Sequence, residues 1–207
     1  MYELKHIDFS YGDKLVLKDF SLSLPQKGAV CLFGASGLGK TTVLRLIAGL
    51  EKPKNGSLEG FENKRITFIF QEDRLLPWRT AKENVALALG NTSEAKEKAL
   101  AVLSSLGLEN DADRYPDEMS GGMCRRVAAA RALAPESDII LADEPTGNLD
   151  PWAAEDIMEV FRRIVAGGCS IVMSTHNIAN IEQFPARTIR FNKGKVEEID
   201  ISSVLGA

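Results

Sequence analysis

The 207-residue sequence contains few cysteines and histidines. Its three cysteines are widely separated and form no Cys-x-x-Cys pair, and it has only two histidines. Structural zinc sites use four such ligands at short spacings, so a zinc site is not expected. The cysteines Cys31, Cys124 and Cys169 are instead predicted to be small buried hydrophobic residues.

The sequence also lacks a long apolar run and an excess of basic residues. No run approaches the roughly 18–20 apolar residues that cross a bilayer, and the N-terminus has no signal-peptide pattern. A cytoplasmic chain with no membrane span is predicted. The net charge of -4 argues against a nucleic-acid partner. The arginines Arg125, Arg126 and Arg131 are predicted to form a solvated helix face with local salt bridges.

Short apolar segments alternate with amphipathic segments along the chain. Strands are predicted at 28–33, 65–70, 138–142 and 169–174. Helices are predicted at 41–49, 93–106, 122–134 and 152–166, and a closing hairpin at 188–201 that turns at 192–195. With 44% hydrophobic content, the chain can bury one substantial core. The order of elements predicts an α/β core with a mostly helical insertion near 76–137.

The most specific motif is the glycine-rich segment 34–41, which matches Gly-x-x-x-x-Gly-Lys-Thr. It comprises Gly34, Ala35, Ser36, Gly37, Leu38, Gly39, Lys40 and Thr41. Its glycines let the backbone curl so that N–H groups face phosphates at a helix N-terminus. We expect Lys40 to reach the β- and γ-phosphates, Thr41 to ligate Mg²⁺ and Thr42 to contact the α-phosphate side. The predicted strand before the motif and helix after it favour a phosphate loop over a chance glycine turn.

Two carboxylates follow the predicted strand at 138–142. Asp143 is expected to hold the Mg²⁺ shell from the side opposite Thr41. Glu144 can orient or deprotonate an attacking water, an effect typically worth about 10²–10⁴ in rate. The alternative is a surface turn made by Asp-Glu-Pro, which the apolar strand disfavours. ATP is the predicted nucleotide, because 192–195 fails the last position of the guanine-reading pattern Asn-Lys-x-Asp.

A second anion-binding element is predicted at 119–126. Ser120 can cap a helix there, and Gly121 and Gly122 leave its N–H groups bare. The phosphate loop at 34–41 already provides for this chain's own nucleotide. The second element is therefore expected to serve the nucleotide of another subunit.

With these motifs in this order, the sequence resembles the ATPase subunit of an ABC (ATP-binding cassette) transporter over essentially its whole length. The resemblance implies an α/β fold: a P-loop NTPase core with a mostly parallel sheet, an N-terminal antiparallel β subdomain and an inserted helical subdomain. It implies one ABC ATPase domain over 1–207. Residues 1–75 and 138–207 would form the nucleotide-binding core, and 76–137 the helical subdomain with the signature motif.

The resemblance implies further contacts to the chain's own nucleotide. Tyr11 matches the aromatic residue that stacks on adenine. Gln71 matches the glutamine that senses the γ-phosphate and Mg²⁺, and His176 matches the switch histidine. Glu144, His176, Gln71 and Lys40 are the implied catalytic residues, and Thr41, Gln71 and Asp143 the implied metal ligands.

Other matches concern the partner's nucleotide. Residues 120–122 match the signature loop and Asp150 matches the D-loop. Met119 and Met123 replace the first and last residues of the family's usual Leu-Ser-Gly-Gly-Gln. The first replacement preserves bulk and apolarity. The second removes one polar contact toward the partner's nucleotide.

The implied function is energy coupling by ATP hydrolysis in a nucleotide-sandwich dimer, with a second ATPase subunit that would be an identical copy. The transmembrane channel would lie on separate permease chains that dock on 71–89, at the cytoplasmic face of the membrane. An importer would also use an extracytoplasmic solute-binding protein. A soluble ABC-type ATPase of DNA repair or translation would need a long coiled-coil insertion or two cassettes.

Two segments disagree about the direction of transport. Residues 71–80 resemble importers for nitrate, sulfonate and taurine, whereas 145–150 resemble the lipoprotein-release and peptide-exporter branch. We favour a small-solute importer, because the first segment is longer and faces the membrane partner. The transported solute is not encoded in the ATPase.

The segment Leu75, Leu76, Pro77 and Trp78 is an apolar cluster between two arginines. Pro77 disfavours helix at the preceding residue, so an irregular and partly exposed loop is predicted. An exposed apolar patch rimmed by charge typically marks a docking surface. The alternative is that these side chains cap the core of the helical lobe.

Overall fold

The structure, a computed structural model, describes residues 1–90, 92–147, 149–184, 186–192 and 195–200. Its strands are β1 (Tyr2–Tyr11), β2 (Lys14–Leu24), β3 (Gly28–Phe33), β4 (Asn55–Glu59), β5 (Ile66–Ile69), β6 (Ile139–Asp143), β7 (Ser170–Thr175), β8 (Arg187–Asn192) and β9 (Lys195–Ile199). Its helices are α1 (Lys40–Ile47), α2 (Ala81–Leu87), α3 (Ser93–Ser105), α4 (Gly121–Leu133), α5 (Pro151–Ala166) and α6 (Ile178–Gln183). Within the described ranges, none of the helices is long and apolar enough to cross a membrane.

The N-terminal residues form an antiparallel sheet in the order β2-β1-β4. Strand β1 buries alternate residues, Tyr2, Leu4, Ile7 and Phe9, as a strand with one face on a core does. A register shift lies between Leu4 and Ile7, and it moves the alternation by one residue. The strand ends at Tyr11, whose side chain is exposed at the edge of the nucleotide cleft described below.

The second sheet has the order β5-β6-β7-β3-β8-β9 and is parallel except for β9. In this sheet Phe33 pairs with Thr175, and Asp143 pairs with Ser174. The carboxyl ends of β3, β6 and β7 therefore meet at one edge of the sheet. Ligands of open α/β sheets bind at such an edge, so the fold itself brings the loops after these three strands together.

The core is divided by the parallel sheet. On one face, Val30 and Leu32 pack with α1 and the N-terminal sheet. On the other face, Cys31 packs with residues of α2 to α5. Strands β6 and β7 are buried along their whole length, which explains the apolar runs 139–142 and 171–173.

The predicted fold class is confirmed: an α/β fold with an antiparallel N-terminal sheet and a mostly parallel second sheet. Predicted helix and strand ends differ from the observed ones by one or two residues, which is the usual uncertainty of element boundaries. The closing hairpin is present as β8 and β9. Its predicted turn residues 193 and 194, and residue 201, lie outside the described residues.

The prediction of a solvated arginine face on α4 is wrong. Arg125 is buried, and Arg126 and Arg131 are partly buried. Their guanidinium groups donate to backbone carbonyls, for example Arg126 to the carbonyl of Leu106 at 3.2 Å. Helical periodicity does not show this, because a guanidinium can be buried when it satisfies carbonyl groups that lack a strand or helix partner.

Candidate nucleotide site

The glycine-rich segment joins β3 to α1 in a backbone conformation that other residues rarely adopt. Gly34, Gly37 and Gly39 all have positive φ angles, of 147°, 82° and 97°. A Cβ atom on Gly34 would lie 2.7 Å from the carbonyl oxygen of Phe191, so only glycine fits there. Gly39 precedes α1 without a side-chain cap. The first N–H groups of α1 are therefore open toward the cleft, as an anion site requires.

Lys40, the first residue of α1, is buried and points back into its own loop. Its ammonium group donates to the carbonyl oxygens of Gly34 at 2.7 Å and Ala35 at 3.0 Å, and lies 3.8 Å from Oε1 of Glu144. Burial lowers the pKa of Lys40 below its usual value, and the carboxylates of Glu144 and Asp143 oppose this shift. The ammonium group of Lys40 can donate to phosphate oxygens instead of these carbonyl oxygens, because phosphate oxygens carry more negative charge.

Asp143 ends β6, and its Oδ1 accepts two hydroxyl donors. Thr41 donates from α1 at 2.8 Å, and Ser174 donates from β7 at 2.7 Å. The oxygen of the Ser174 hydroxyl also accepts the backbone N–H of Glu144 at 3.0 Å. One buried hydroxyl thus connects both carboxylate residues.

Sequence patterns alone do not identify Ser174 as a residue of the site. The available signal is a serine that directly follows the apolar run 171–173 in a strand buried along its whole length. A buried hydroxyl must find partners, and here both partners belong to the site.

Glu144 follows β6 with a left-handed φ of 47°. This conformation is uncommon outside glycine and is held by the two bonds of its N–H group, to the hydroxyl and the carbonyl of Ser174. The side chain is only 12% exposed and lies between Lys40 and His176. Nδ1 of His176 is 2.9 Å from Oε2 of Glu144, and the histidine side chain is 60% exposed. The pair can hold or move a proton at the mouth of the cleft.

A cleft of about 320 Å³ runs from Tyr11 to His176. It is lined by Tyr11, Lys14, Val16, Ser36, Gly37, Gly39, Lys40, Thr41, Thr42, Gln71, Glu144 and His176. The lining includes the predicted adenine residue Tyr11, most of the predicted phosphate-binding residues of 34–42, and the predicted catalytic residues. Tyr11 lies at the far end, where its ring meets Phe9 edge-on and its side chain is exposed.

The predicted signature residues lie outside the set that lines this cleft. Ser120 caps α4 by accepting the N–H of Met123 at 3.3 Å, as predicted. Asp150 caps α5 by accepting the N–H groups of Trp152 and Ala153, both at 3.0 Å. Gly122 lies against Ala153, because a Cβ on this glycine would be 3.1 Å from the alanine Cβ. The two caps thus form one neighbouring surface. Residue 148 of the predicted D-loop lies outside the described residues.

The donor set of the cleft suits a hard cation. Thr41, Asp143 and Gln71 supply oxygen atoms, the ligands that Mg²⁺ prefers, and Mg²⁺ usually completes its shell with water and phosphate. In the described ranges, no group of three histidine, cysteine or acidic side chains could hold a metal ion by itself. Thr41, Asp143 and Gln71 are the residues that could hold a cation together with phosphate oxygens.

Comparisons with known proteins identify the family of the chain. The model of the family described as ABC transporter matches residues 17–147. The aliphatic sulfonates import ATP-binding protein SsuB 1 of Mesorhizobium japonicum is 36% identical over 203 residues, covering 94% of this chain and 77% of that protein. The lipoprotein-releasing system ATP-binding protein LolD of Aquifex aeolicus is 42% identical over 200 residues, covering 87% of this chain and 89% of that protein.

Similar solved structures also include an ATP-binding cassette and an ABC transporter. The dimeric post-hydrolysis structure of the ATP-binding cassette MJ0796 with ADP and Pi superposes with a TM-score of 0.83 at 31% identity, covering 97% of this chain and 99% of that one. An inward-facing putative metal-chelate type ABC transporter has a TM-score of 0.85 at 22% identity, which supports the fold alone. The resemblance inferred from the motifs is confirmed: this chain belongs to the ABC transporter family, as an ATP-binding subunit that hydrolyses ATP.

Proposed function

We propose that this chain drives a small-solute importer by hydrolysing Mg-ATP in the cleft between Tyr11 and His176. The observation that carries the proposal is the position of Glu144 between Lys40 and His176, at the end of a strand beside the phosphate loop. A carboxylate there faces the terminal phosphate of a nucleotide held by 34–41. The chemistry of phosphoryl transfer depends on such positioning and on charge stabilisation.

Each residue has a distinct role. Lys40 and the open N–H groups of α1 bind the β- and γ-phosphates, and Thr42 contacts the α-phosphate side. Glu144 orients the attacking water and accepts its proton, and His176 holds the carboxylate in place through the 2.9 Å contact. Mg²⁺, when bound at Thr41, Asp143 and Gln71, supplies charge neutralisation of the phosphates. Tyr11 stacks on adenine.

Two substitutions separate binding from chemistry. Lys40→Ala removes a direct phosphate contact, so it should weaken ATP binding. Glu144→Gln keeps the shape and loses the base, so ATP should bind and persist unhydrolysed. Binding is measured with a fluorescent ATP analogue and turnover by phosphate release. Near-wild-type turnover of the Glu144→Gln protein, assembled with its membrane partner, would show that the assignment of the base is wrong.

The nucleotide is expected to lie between two copies of the chain, with Lys40 of one copy and Ser120 of the other on opposite sides. Ser120 and Gly121 are exposed at the start of α4, away from the chain's own cleft. Asp150 lies beside them at the start of α5. A relative in this family is described as dimeric, which supports this arrangement.

Residues 71–89 are proposed to receive a cytoplasmic helix of a permease chain. Trp78 is 70% exposed, whereas Leu75 and Leu76 are partly buried, so the loop is anchored by its leucines and presents its tryptophan. Trp78→Ala should leave ATP binding intact and abolish co-purification of the membrane chain. Leu100→Ala is the control, because Leu100 is an exposed apolar residue of α3 outside this segment. Equal losses in both variants would place the docking surface elsewhere.

The cargo is proposed to be a small anionic solute such as an aliphatic sulfonate, imported with an extracytoplasmic binding protein. Several similar proteins are named as sulfonate importers, at 33–36% identity. A lipoprotein-releasing exporter is the second candidate, because the protein of that name is 42% identical. The ATPase assembled with its permease chains in a vesicle membrane distinguishes them: sulfonate-loaded binding protein, added on the extracytoplasmic side, should stimulate the ATPase activity of an importer, whereas an exporter should respond to lipoprotein.

A further inference from the structure

The segment 70–74 links the nucleotide cleft to the exposed loop 75–78, and its carbonyl groups are held by side chains of α4. Arg125 donates to the carbonyl oxygens of Phe70 at 2.8 Å and Gln71 at 2.6 Å. Arg131 donates to those of Asp73 and Arg74, both at 2.8 Å. Two guanidinium groups therefore satisfy carbonyls of a segment that has left the sheet after β5.

The contact is buried and charged. The Arg125 side chain is 5% exposed, and its Nη1 also lies 3.0 Å from Oδ1 of Asp73, in a charge contact without an aligned hydrogen bond. Burial raises the pKa of Asp73, and the charges of Arg125 and Arg131 oppose this shift. A guanidinium with such partners is tightly placed, because removing any partner leaves a buried charge poorly compensated.

The same helix is capped by Ser120, the residue that faces the partner's nucleotide under the proposed function. Arg125 and Arg131 thereby join three functional features. These are the cap at Ser120, the cleft residue Gln71 and the docking loop that presents Trp78.

We propose that Arg125 and Arg131 are positioning residues that fix Gln71 and the loop 75–78 to helix α4, so that the three features move as one rigid body when nucleotide binds. The proposal rests on the role proposed above for Gln71. Neither arginine touches nucleotide in this arrangement. Each acts through the backbone that it holds.

The geometry depends on arginine rather than on positive charge alone. The planar guanidinium group of arginine can donate to two carbonyl groups at once from different nitrogen atoms. The ammonium group of lysine has a single nitrogen atom and reaches only one of them. Arg125→Lys should therefore keep the buried charge opposite Asp73 and lose one carbonyl contact. Arg126→Lys is the matched control on the same helix. Arg126 instead donates to the carbonyl of Leu106 and pairs with Asp156 at 3.8 Å.

The test measures amide hydrogen exchange and hydrolysis in the full chain. Without nucleotide, Arg125→Lys should raise exchange of amides 71–76 by about tenfold, with α1 unchanged. With Mg-ATP, the wild type should gain protection at 34–42, at 71–78 and at the start of α4 together. Arg125→Lys should gain it only at 34–42. Its kcat should fall roughly tenfold with KM for ATP within about twofold, since the phosphate contacts remain.

Controls separate this inference from the role of Gln71. Arg126→Lys should show the wild-type pattern of protection. If Gln71→Ala keeps full kcat, the proposed role of Gln71 is wrong. If Gln71→Ala loses kcat while Arg125→Lys retains both kcat and joint protection of 71–78 and α4, the positioning role is wrong. A uniform rise in exchange throughout the Arg125→Lys chain would also overturn it, because that result indicates general destabilisation.

Discussion

Replacing Ser174 by alanine should weaken catalysis more than it weakens the fold. The hydroxyl donates to the Asp143 carboxylate at 2.7 Å and accepts the Glu144 N–H at 3.0 Å, and the residue is fully buried. Asp143 keeps the Thr41 donor, and the Glu144 N–H keeps the Ser174 carbonyl at 3.2 Å. The variant therefore leaves neither group without a partner.

The magnitude follows from the bond to the carboxylate. A hydrogen bond to a charged group is worth about 1.5–3 kcal/mol. If that energy is expressed in the transition state, kcat falls roughly 10- to 150-fold, at about 1.4 kcal/mol for each factor of ten. If it appears only as stability, Tm falls by roughly 3–12 °C for a chain of this size.

Ser170→Ala provides a matched control, since Ser170 is a buried serine at the other end of β7. Its hydroxyl donates to the carbonyl of Gln26 at 2.7 Å, far along the strand from the cleft. Both variants should lose stability in thermal unfolding. Only Ser174→Ala should lose kcat in a phosphate-release assay. Equal kcat losses in the two variants would refute the claim that Ser174 positions the carboxylates.

Further predictions concern other groups of the site. Tyr11→Ala should raise the ATP dissociation constant about tenfold, since base stacking is worth ~1–3 kcal/mol, and Tyr11→Phe should barely change it; equal losses in a binding titration would assign the effect to the hydroxyl. Burial raises the pKa of Cys31 to about 12. The thiol ionises in the unfolded chain near pH 9 and not in the fold, so its contribution to stability should fall as pH rises from about 9 to 12, by up to ~1.4 kcal/mol per pH unit. In denaturant titrations the unfolding free energies of the wild type and Cys31→Ala should differ by a constant amount below pH 9, and that of the wild type should fall relative to that of Cys31→Ala above it; a difference that stays constant above pH 9 would contradict this. Met123→Gln restores an amide at the signature loop and should tighten the ATP-bound dimer, seen as a lower dissociation constant in ultracentrifugation.

The sequence predicted the phosphate loop and the strand-end carboxylates because their chemistry requires fixed local spacing. Gly34 to Thr41 form one continuous motif. A carboxylate that directly follows a buried strand is typical of a cation or catalytic site beside such a loop. Strands β3, β6 and β7 are parallel neighbours, so the residues that follow their carboxyl ends lie close together. Lys40, Glu144 and His176 are such residues.

Side chains that act through tertiary contacts were harder to predict. Arg125 and Arg131 look like a solvated face, because their helical spacing does not reveal the carbonyl groups of 70–74, which are about 55 residues away in the chain. Ser174 looks like the end of a strand until Asp143 and Glu144 are placed beside it. Such residues are identified by asking which buried polar groups each one satisfies.

The most direct test of the account is the mass of the Glu144→Gln protein in solution with saturating Mg-ATP. Light scattering should show a mass that doubles from the 22.6 kDa of the chain when ATP is added. It should return to the monomer value with Mg-ADP, and Lys40→Ala in the same background should prevent the change. A mass that stays at one chain while ATP is demonstrably bound would contradict the nucleotide sandwich formed by Lys40 of one copy and Ser120 of the other.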